Sequence, residues 1–321
     1  MSSRLHIVAP CANRKLLPIP HRLRLQSVRE RDPAARVRTW CKLLECHSSP
    51  TRPAVDLYAG DHWRVVRTLP DAALAAGYEA ELWVLSAGYG LVPATAHLHA
   101  YSATFASGHQ DSIAERTESA SAKAMNQAWW LLLSEWGGPI PGAVRSLQEL
   151  ARRDSDASIL IFGSPDYVRA VENDLLAAAD SLRRPERLVV ISSRGVKGEH
   201  LDPYLIESDA ALQSRLGGGR VSIHARVARL LLELARGGDW AAGTLRGKYQ
   251  AIQPKTAPTR VQLRSRSSDE EMCRFIIKAL SEDPRASATG LLRRLRQSGR
   301  ACEQTRLKRL VAEARMGWHG A

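Results

Sequence analysis

The sequence predicts an α/β protein with a small helical module at its C-terminal end, and two observations carry that prediction. Apolar, strand-like runs at Leu5–Ala9, Glu81–Ser86, Ser158–Gly163 and Leu188–Ser193 alternate with helix-patterned segments, as in a mostly parallel sheet covered by helices. The charge is also unevenly placed. Residues 246–321 hold 17 Lys/Arg against 7 Asp/Glu, whereas residues 1–245 hold 29 against 26. A chain of 321 residues with 44% hydrophobic content has enough apolar surface for one large core and a satellite. The expected division is an α/β domain over 1–246, a linker over 247–268 and a basic three-helix module over 269–321.

Taken in order, the first strand ends in Pro10-Cys-Ala-Asn-Arg-Lys15, and an Arg- and Pro-rich stretch with a helix near Ala34–Glu45 follows. Ala54–Leu69 has helical spacing, and residues 93–125 are polar and irregular. An amphipathic helix over Ser121–Trp136 stops at Gly137-Gly138-Pro139. After the third strand, Ser164 and Pro165 have the cap and first-turn chemistry that opens a helix, here through Ala179. Leu216-Gly-Gly-Gly-Arg220 leads into a helix over Ser222–Arg236 and suits an anion at the helix N-terminus. It lacks the Lys-Ser/Thr of a P-loop, so nucleotide hydrolysis is not indicated. Gly247–Ser268, sprinkled with Pro, Thr, Ser and Arg, reads as a linker. Beyond it, helices at Asp269–Glu282, Thr289–Gln297 and Glu303–Arg315 have helix-turn-helix spacing around Ser298-Gly299.

No apolar run reaches membrane-spanning length, and the first residues run almost at once into a strand, leaving no room for a signal peptide. Five scattered cysteines fit a reduced, cytoplasmic protein better than a disulfide scaffold. Cys41, Cys46 and His47 lack a second ligand pair, so neither a metal nor another cofactor is implied.

Three segments carry candidate chemistry. Cys11 lies beside Asn13, Arg14 and Lys15; it is either a nucleophile whose thiolate the cations favour or a small core residue. Asp56, Tyr58, Asp61, His62 and Arg64 crowd into nine residues, with Asp56 or His62 suited to proton transfer and Tyr58 to stacking on a base. Ser86-Ala-Gly-Tyr89-Gly90, answered by Tyr101, places a tyrosine between two glycines at a strand end, where open α/β sheets bind ligands. In the basic module, the third helix should expose Gln304, Thr305, Arg306, Lys308 and Arg309, with Arg293 and Arg294 on the second. These types suit phosphates and base edges; the alternative for the module is protein interaction.

Together these segments resemble the YaaA-like family, whose members are linked to peroxide stress and DNA binding and have relatives in phages and defence islands. Pro10-Cys11 with Lys15 is similar to that family's opening Ser-Pro-Ala-Lys, and Ala54-Val-Asp-Leu-Tyr-Ala-Gly60 to its Ala-x-x-Leu-Tyr/Phe-x-Gly. Leu85-Ser-Ala-Gly-Tyr-Gly-Leu-Val92 with Tyr101 resembles its Leu-Ser-Gly-Leu-Tyr-Gly-Leu and Pro-Tyr-Arg pair, and Ile161–Val168 its Asn-Leu-Ala-Ser-x-Glu-Tyr-Phe. The likeness spans about residues 4–236; the family arginine after the second tyrosine is Ser102 here, and Cys11 replaces an alanine, as in phage-type relatives.

The resemblance implies a YaaA-like core, and one branch, the DpdC proteins of 7-deazaguanine DNA modification, implies hydration of a 7-cyano-7-deazaguanine base to its amide. On that reading Cys11, Lys15, Asp56 and His62 are catalytic. Asn13, Tyr58, Ser86, Tyr89, Tyr101 and Ser164 bind substrate, and all are expected around one cleft. DNA is the expected partner, with proteins of a modification or defence system beside it and no membrane. Two rival functions are a non-catalytic DNA-binding stress or defence protein and a small-molecule enzyme with a basic docking tail.

Overall fold

The computed structural model describes residues 3–116, 121–193, 195–196, 200–208, 212–252 and 265–318. Two compact units divide the chain at Lys255/Thr256. The first begins with β1 (Ser3–Pro10), α1 (Pro33–Glu45), β2 (Thr51–Pro53), α2 (Ala54–Leu57), α3 (Asp61–Val66), α4 (Leu69–Ala75), β3 (Tyr78–Ser86), β4 (Gly90–Pro93) and β5 (His97–His99). It continues with α5 (Ala122–Glu135), α6 (Leu147–Arg153), β6 (Ser158–Phe162), α7 (Pro165–Ala170), α8 (Glu172–Ser181), β7 (Leu188–Ser193) and β8 (Leu205–Ser208). Three helices, α9 (Gln213–Leu216), α10 (Ile223–Leu234) and α11 (Ala242–Ile252), close it.

The main sheet has the order β4-β3-β1-β6-β7-β8. All neighbours are parallel except the β3–β4 pair, in which Ser86 faces Gly90. Counted along the chain, the five parallel strands therefore run second-first-third-fourth-fifth. That order reverses between β1 and β6, and such a switch point opens a crevice at the carboxyl ends of the two strands. Leu5, Ile7, Val8 and Ala9 of β1 are fully buried, as are Ile159–Phe162 of β6, which is why both read as unbroken apolar runs. Helices α3 and α4 pack with α10 over the sheet, and α5 packs on α7 while α6 lies along α8. Right-handed crossovers on either side of the switch point put these two groups on opposite faces.

Several helix boundaries differ from the sequence expectation. The single helix expected over Ala54–Leu69 is broken at Tyr58–Gly60, where Gly60 has φ +99°. Arg67 donates to the Val55 and Tyr58 carbonyls at 2.8 and 2.6 Å, partnering groups that the break takes out of the helix ladder. The helix expected through Ala179 breaks at Val171 and resumes to Ser181; Ser164 sits at its N-cap but makes no capping hydrogen bond. The expected linker begins later than Gly247, because α11 runs to Ile252 and buries Tyr249; residues 253–264 lie outside the described ones.

The turn between β3 and β4 is clamped from three sides. Trp40 and Trp129 donate ring N–H groups to the Gly88 and Ala87 carbonyls, each at 2.8 Å. Arg145 donates to the Tyr89 and Leu91 carbonyls at 2.5 and 2.7 Å. At Gly88 a Cβ atom would stand 2.4 Å from Cε2 of the fully buried Tyr101, so only glycine lets that ring close on the turn.

The second unit holds β9 (Ser265–Arg266), α12 (Asp269–Glu282), α13 (Ala288–Gln297), β10 (Arg300–Ala301) and α14 (Gln304–Trp318). Ser268 and Glu271 form a capping box that starts α12. Met272, Ile276 and Leu280 of α12 join Leu291, Leu295 and Leu307 in a core of the unit's own. Among the described residues no helix is long and apolar enough to cross a membrane.

Gly88→Ala should destabilise the protein by about 1–3 kcal/mol in urea unfolding, the usual range for overpacking a filled core. An unchanged midpoint would show that Tyr101 is not held against the turn.

Candidate active site

The β1 chain continues past Pro10 with the Cys11 N–H donating to Leu85 O at 3.0 Å, which fixes the cysteine at the carboxyl edge of the sheet. From the far side of the switch point, α7 delivers Tyr167, whose hydroxyl lies 3.2 Å from Cys11 Sγ and 3.4 Å from Thr104 Oγ1. The thiol and the phenol thus meet at the carboxyl ends of β1 and β6, the two strands between which the order reverses. Cys11 is only 9% exposed.

A chain of hydroxyls stands beside them. Ser86 Oγ accepts the Tyr89 N–H at 2.9 Å and the Gly88 N–H at 3.3 Å. Its own proton is therefore free to go to Tyr101 Oη, 2.6 Å away, and Tyr101 lies 2.9 Å from Tyr58 Oη. With Ser86 donating to Tyr101 and Tyr101 to Tyr58, the Tyr58 proton is the open end of the relay. Burial, reinforced by the neighbouring Cys11, pushes Tyr58, Tyr101 and Tyr167 well above the ordinary tyrosine range. All three stay protonated at neutral pH, and Tyr58 and Tyr167 have protons to offer an anion formed beside them.

Lys15 closes the cluster. A backbone bridge to Tyr58 and the Leu16 N–H to Leu57 O bond (2.9 Å) hold its segment in place. Its Nζ donates to Ala12 O at 2.9 Å and stands 4.2 Å from the Tyr101 ring centre and 5.5 Å from that of Tyr58. Burial lowers its pKa to about 8, against the opposing pull of Cys11 and Asp111. Asp111 is itself buried, accepts the Gln26 N–H at 3.0 Å and lies 4.0 Å from Arg24.

The structure thus brings together Cys11, Lys15, Tyr58, Ser86 and Tyr101. Tyr89 stands behind them, its ring 5.2 Å from that of Tyr101 and its hydroxyl accepting the His99 N–H at 3.1 Å. Ser164 opens the helix that carries Tyr167. Other expected members are elsewhere. Asn13 is exposed, and Asp56 is exposed on α2 because that short helix turns its acidic side to water. His62 is buried against Phe162, near the Pro10 and Val221 carbonyls, and burial lowers its pKa to about 4, which makes it a poor base at neutral pH.

The glycine loop before α10 also departs from expectation, because its anion comes from the chain itself. The Asp61 carboxylate accepts from Gly219 N–H at 3.2 Å and Ser222 Oγ at 2.5 Å and pairs with Arg226 at 3.3 Å. These donors hold its pKa near 2.

Tyr167, Thr104 and Asp111 join the site beyond the residues expected from the sequence. Tyr167 was legible, since it ends the Ser-Pro-Asp-Tyr segment already noted, whereas Thr104 and Asp111 are brought in by an irregular loop without periodicity. No metal-binding group of three or more His, Cys, Asp or Glu occurs among the described residues.

In the second unit, Arg293, Gln304 and Lys308 are exposed as expected, while the Thr305 side chain lies outside the described set. Three expected DNA contacts are engaged internally. Arg306 and Arg309 both pair with Asp269 at the start of α12, Arg309 also with Glu313 at 2.8 Å, and Arg294 with Glu282 at 2.8 Å. Asp269 and Glu282 thus tie arginines of neighbouring helices, which leaves those guanidinium groups less free for a partner than the net charge suggests.

No family model, curated protein or solved structure matches this chain.

Holding a protonated Lys15 in this site costs about 3 kcal/mol, from the 10.5-to-8 displacement of its pKa. Between pH 8 and 10.5 the unfolded chain keeps this proton while the folded chain has lost it, so folded stability gains as pH rises through that window. Urea unfolding should show Lys15→Met more stable than wild type at pH 7, with the gap narrowing toward pH 10.5. A variant less stable at pH 7 would mean that the amine supports the fold.

Proposed function

We propose that the first unit is an enzyme whose Cys11 thiolate attacks the nitrile carbon of a modified nucleobase, with nucleic acid as substrate and the basic second unit as a docking module. The observation that supports this most is the meeting of Cys11, Tyr167 and Lys15 at the switch point, where a thiol, neutral hydroxyl donors and an amine of lowered pKa share one place. The substrate proposed is 7-cyano-7-deazaguanine in DNA, following the likeness to the YaaA-like family and its DpdC branch.

In this reaction the sulfur forms a bond to the nitrile carbon, and the nitrile nitrogen takes a proton from the Lys15 ammonium. Water then adds across the C=N bond of the resulting thioimidate, its hydroxyl to carbon and its proton to nitrogen, and the new hydroxyl gives its proton back to Lys15. The C–S bond breaks, the thiolate leaves with its electron pair, and the amide remains; the net change is one added water. The tyrosine hydroxyls stabilise the negative sulfur and the developing charge on nitrogen. Lys15 must be protonated to act, so the rate should fall as pH rises above about 8.

A second reading, a binding protein without catalysis, is favoured by the near-complete burial of Cys11. Mass spectrometry of nitrile-bearing DNA after incubation separates the two. The enzyme reading expects the mass of one water to be gained, the gain to vanish with Cys11→Ala, and DNA binding to survive that change. DNA bound with its nitrile intact would favour the binding protein.

A further inference from the structure

The positive charge of the first unit is concentrated beside the candidate site. Residues 14–31 contain six Lys/Arg and one acid, Glu30, whereas the rest of Met1–Lys255 holds 26 Lys/Arg against 25 Asp/Glu. The segment is anchored to the residues next to Tyr58 and Tyr101. Besides the Leu16–Leu57 bond, Leu25 N–H donates to Ser102 O and Ser102 N–H to Leu23 O, each at 2.8 Å. Leu23, Leu25 and Val28 are buried, so the apolar members fix the strip while Arg14, Arg22 and Arg29 face water. None of these three arginines pairs with a carboxylate among the described residues. Arg24, 38% exposed, reaches toward Asp111, the carboxylate that acts on Lys15. In the second unit Arg294, Arg306 and Arg309 are engaged in internal pairs, while Arg293 and Lys308 face water.

We infer that Arg14, Arg22, Arg24 and Arg29 form a track for the phosphodiester backbone of a nucleic-acid strand whose base is presented to Cys11. The inference rests on the nucleic-acid reading above and assigns its partner surface to the first unit itself. Arg14, Arg22 and Arg29, without a carboxylate partner among the described residues, and the half-exposed Arg24 on one anchored strip match a linear polyanion, and binding there would release the strand's condensed counterions. A membrane surface fits less well, because among the described residues of this unit the large exposed apolar side chains, Leu16, Leu74, Leu131 and Val221, are scattered along the chain and form no helical stripe.

The test uses the full chain and a short fluorescent single-stranded oligonucleotide, with anisotropy followed across salt concentration. Arg14→Ala/Arg22→Ala/Arg29→Ala should weaken binding about tenfold or more near 0.1 M salt and make the log–log salt slope shallower by about 2, the value for three lost phosphate contacts on a single strand. The triple Arg→Lys variant should retain most of the binding. Wild-type affinity in the alanine variant, with loss only in Arg293→Ala/Lys308→Ala, would overturn the inference; so would preference for phosphatidylserine vesicles over the oligonucleotide. Because anisotropy needs no nitrile, binding through the strip without water gain would overturn only the enzymatic reading.

Discussion

Burial of the Lys15 amine against Tyr101 and Tyr58 is the constraint on which the rest of the site depends. An ammonium is costly to remove from water, and here two aromatic faces and one carbonyl offset only part of that cost. The faces can be offered only because Tyr101 closes on Gly88 and is tied by its hydroxyl to Ser86 and Tyr58. Gly88 is in turn set by two tryptophan N–H groups and by Arg145 on the following carbonyls. Residues from the end of β3, from helices α1 and α5 and from the loops bearing Lys15, Tyr58, Tyr101 and Arg145 therefore converge to hold one nitrogen atom. A core built for stability alone has no need of that nitrogen, and a perturbed amine next to a thiol is the pattern expected of a functional site.

The strand order explains why the thiol belongs to the same place. Cys11 leaves β1 and Tyr167 follows β6, and these are the neighbours between which the order reverses. The nearby glycine loop at residues 217–219 is at the carboxyl edge too, yet the chain's own Asp61 occupies its donors. Of the two anion-friendly places, one is satisfied internally, and the Cys11–Lys15 cluster has donors left to offer a ligand.

Much of this was legible in the sequence, and the misses have physical causes. The four expected strands lie in the sheet because residues buried on both faces must be continuously apolar. Strand β8 escaped notice because it is a four-residue edge strand interrupted by Glu207, and β4 because its Gly90–Pro93 run reads equally well as a loop. Nearness along the chain misled the reading of Asp56 and His62. The break at Gly60 separates their helices, so one faces water and the other packs against Phe162. In the second unit the three-helix pattern followed from its leucine spacing, but the pairing of Asp269 with two arginines from α14 is a tertiary contact that charge counting cannot foresee.

The most direct test of the account is intact-protein mass spectrometry of the wild-type chain quenched rapidly after mixing with free 7-cyano-7-deazaguanine, followed by peptide mapping. A Cys11 thiolate that adds to the nitrile carbon forms a thioimidate carrying the full mass of the base, with no leaving group lost. The account predicts that adduct on the peptide containing Cys11, and its absence from Cys11→Ser. An adduct confined to the exposed Cys46, or no adduct at any time while the free base is bound, would contradict it.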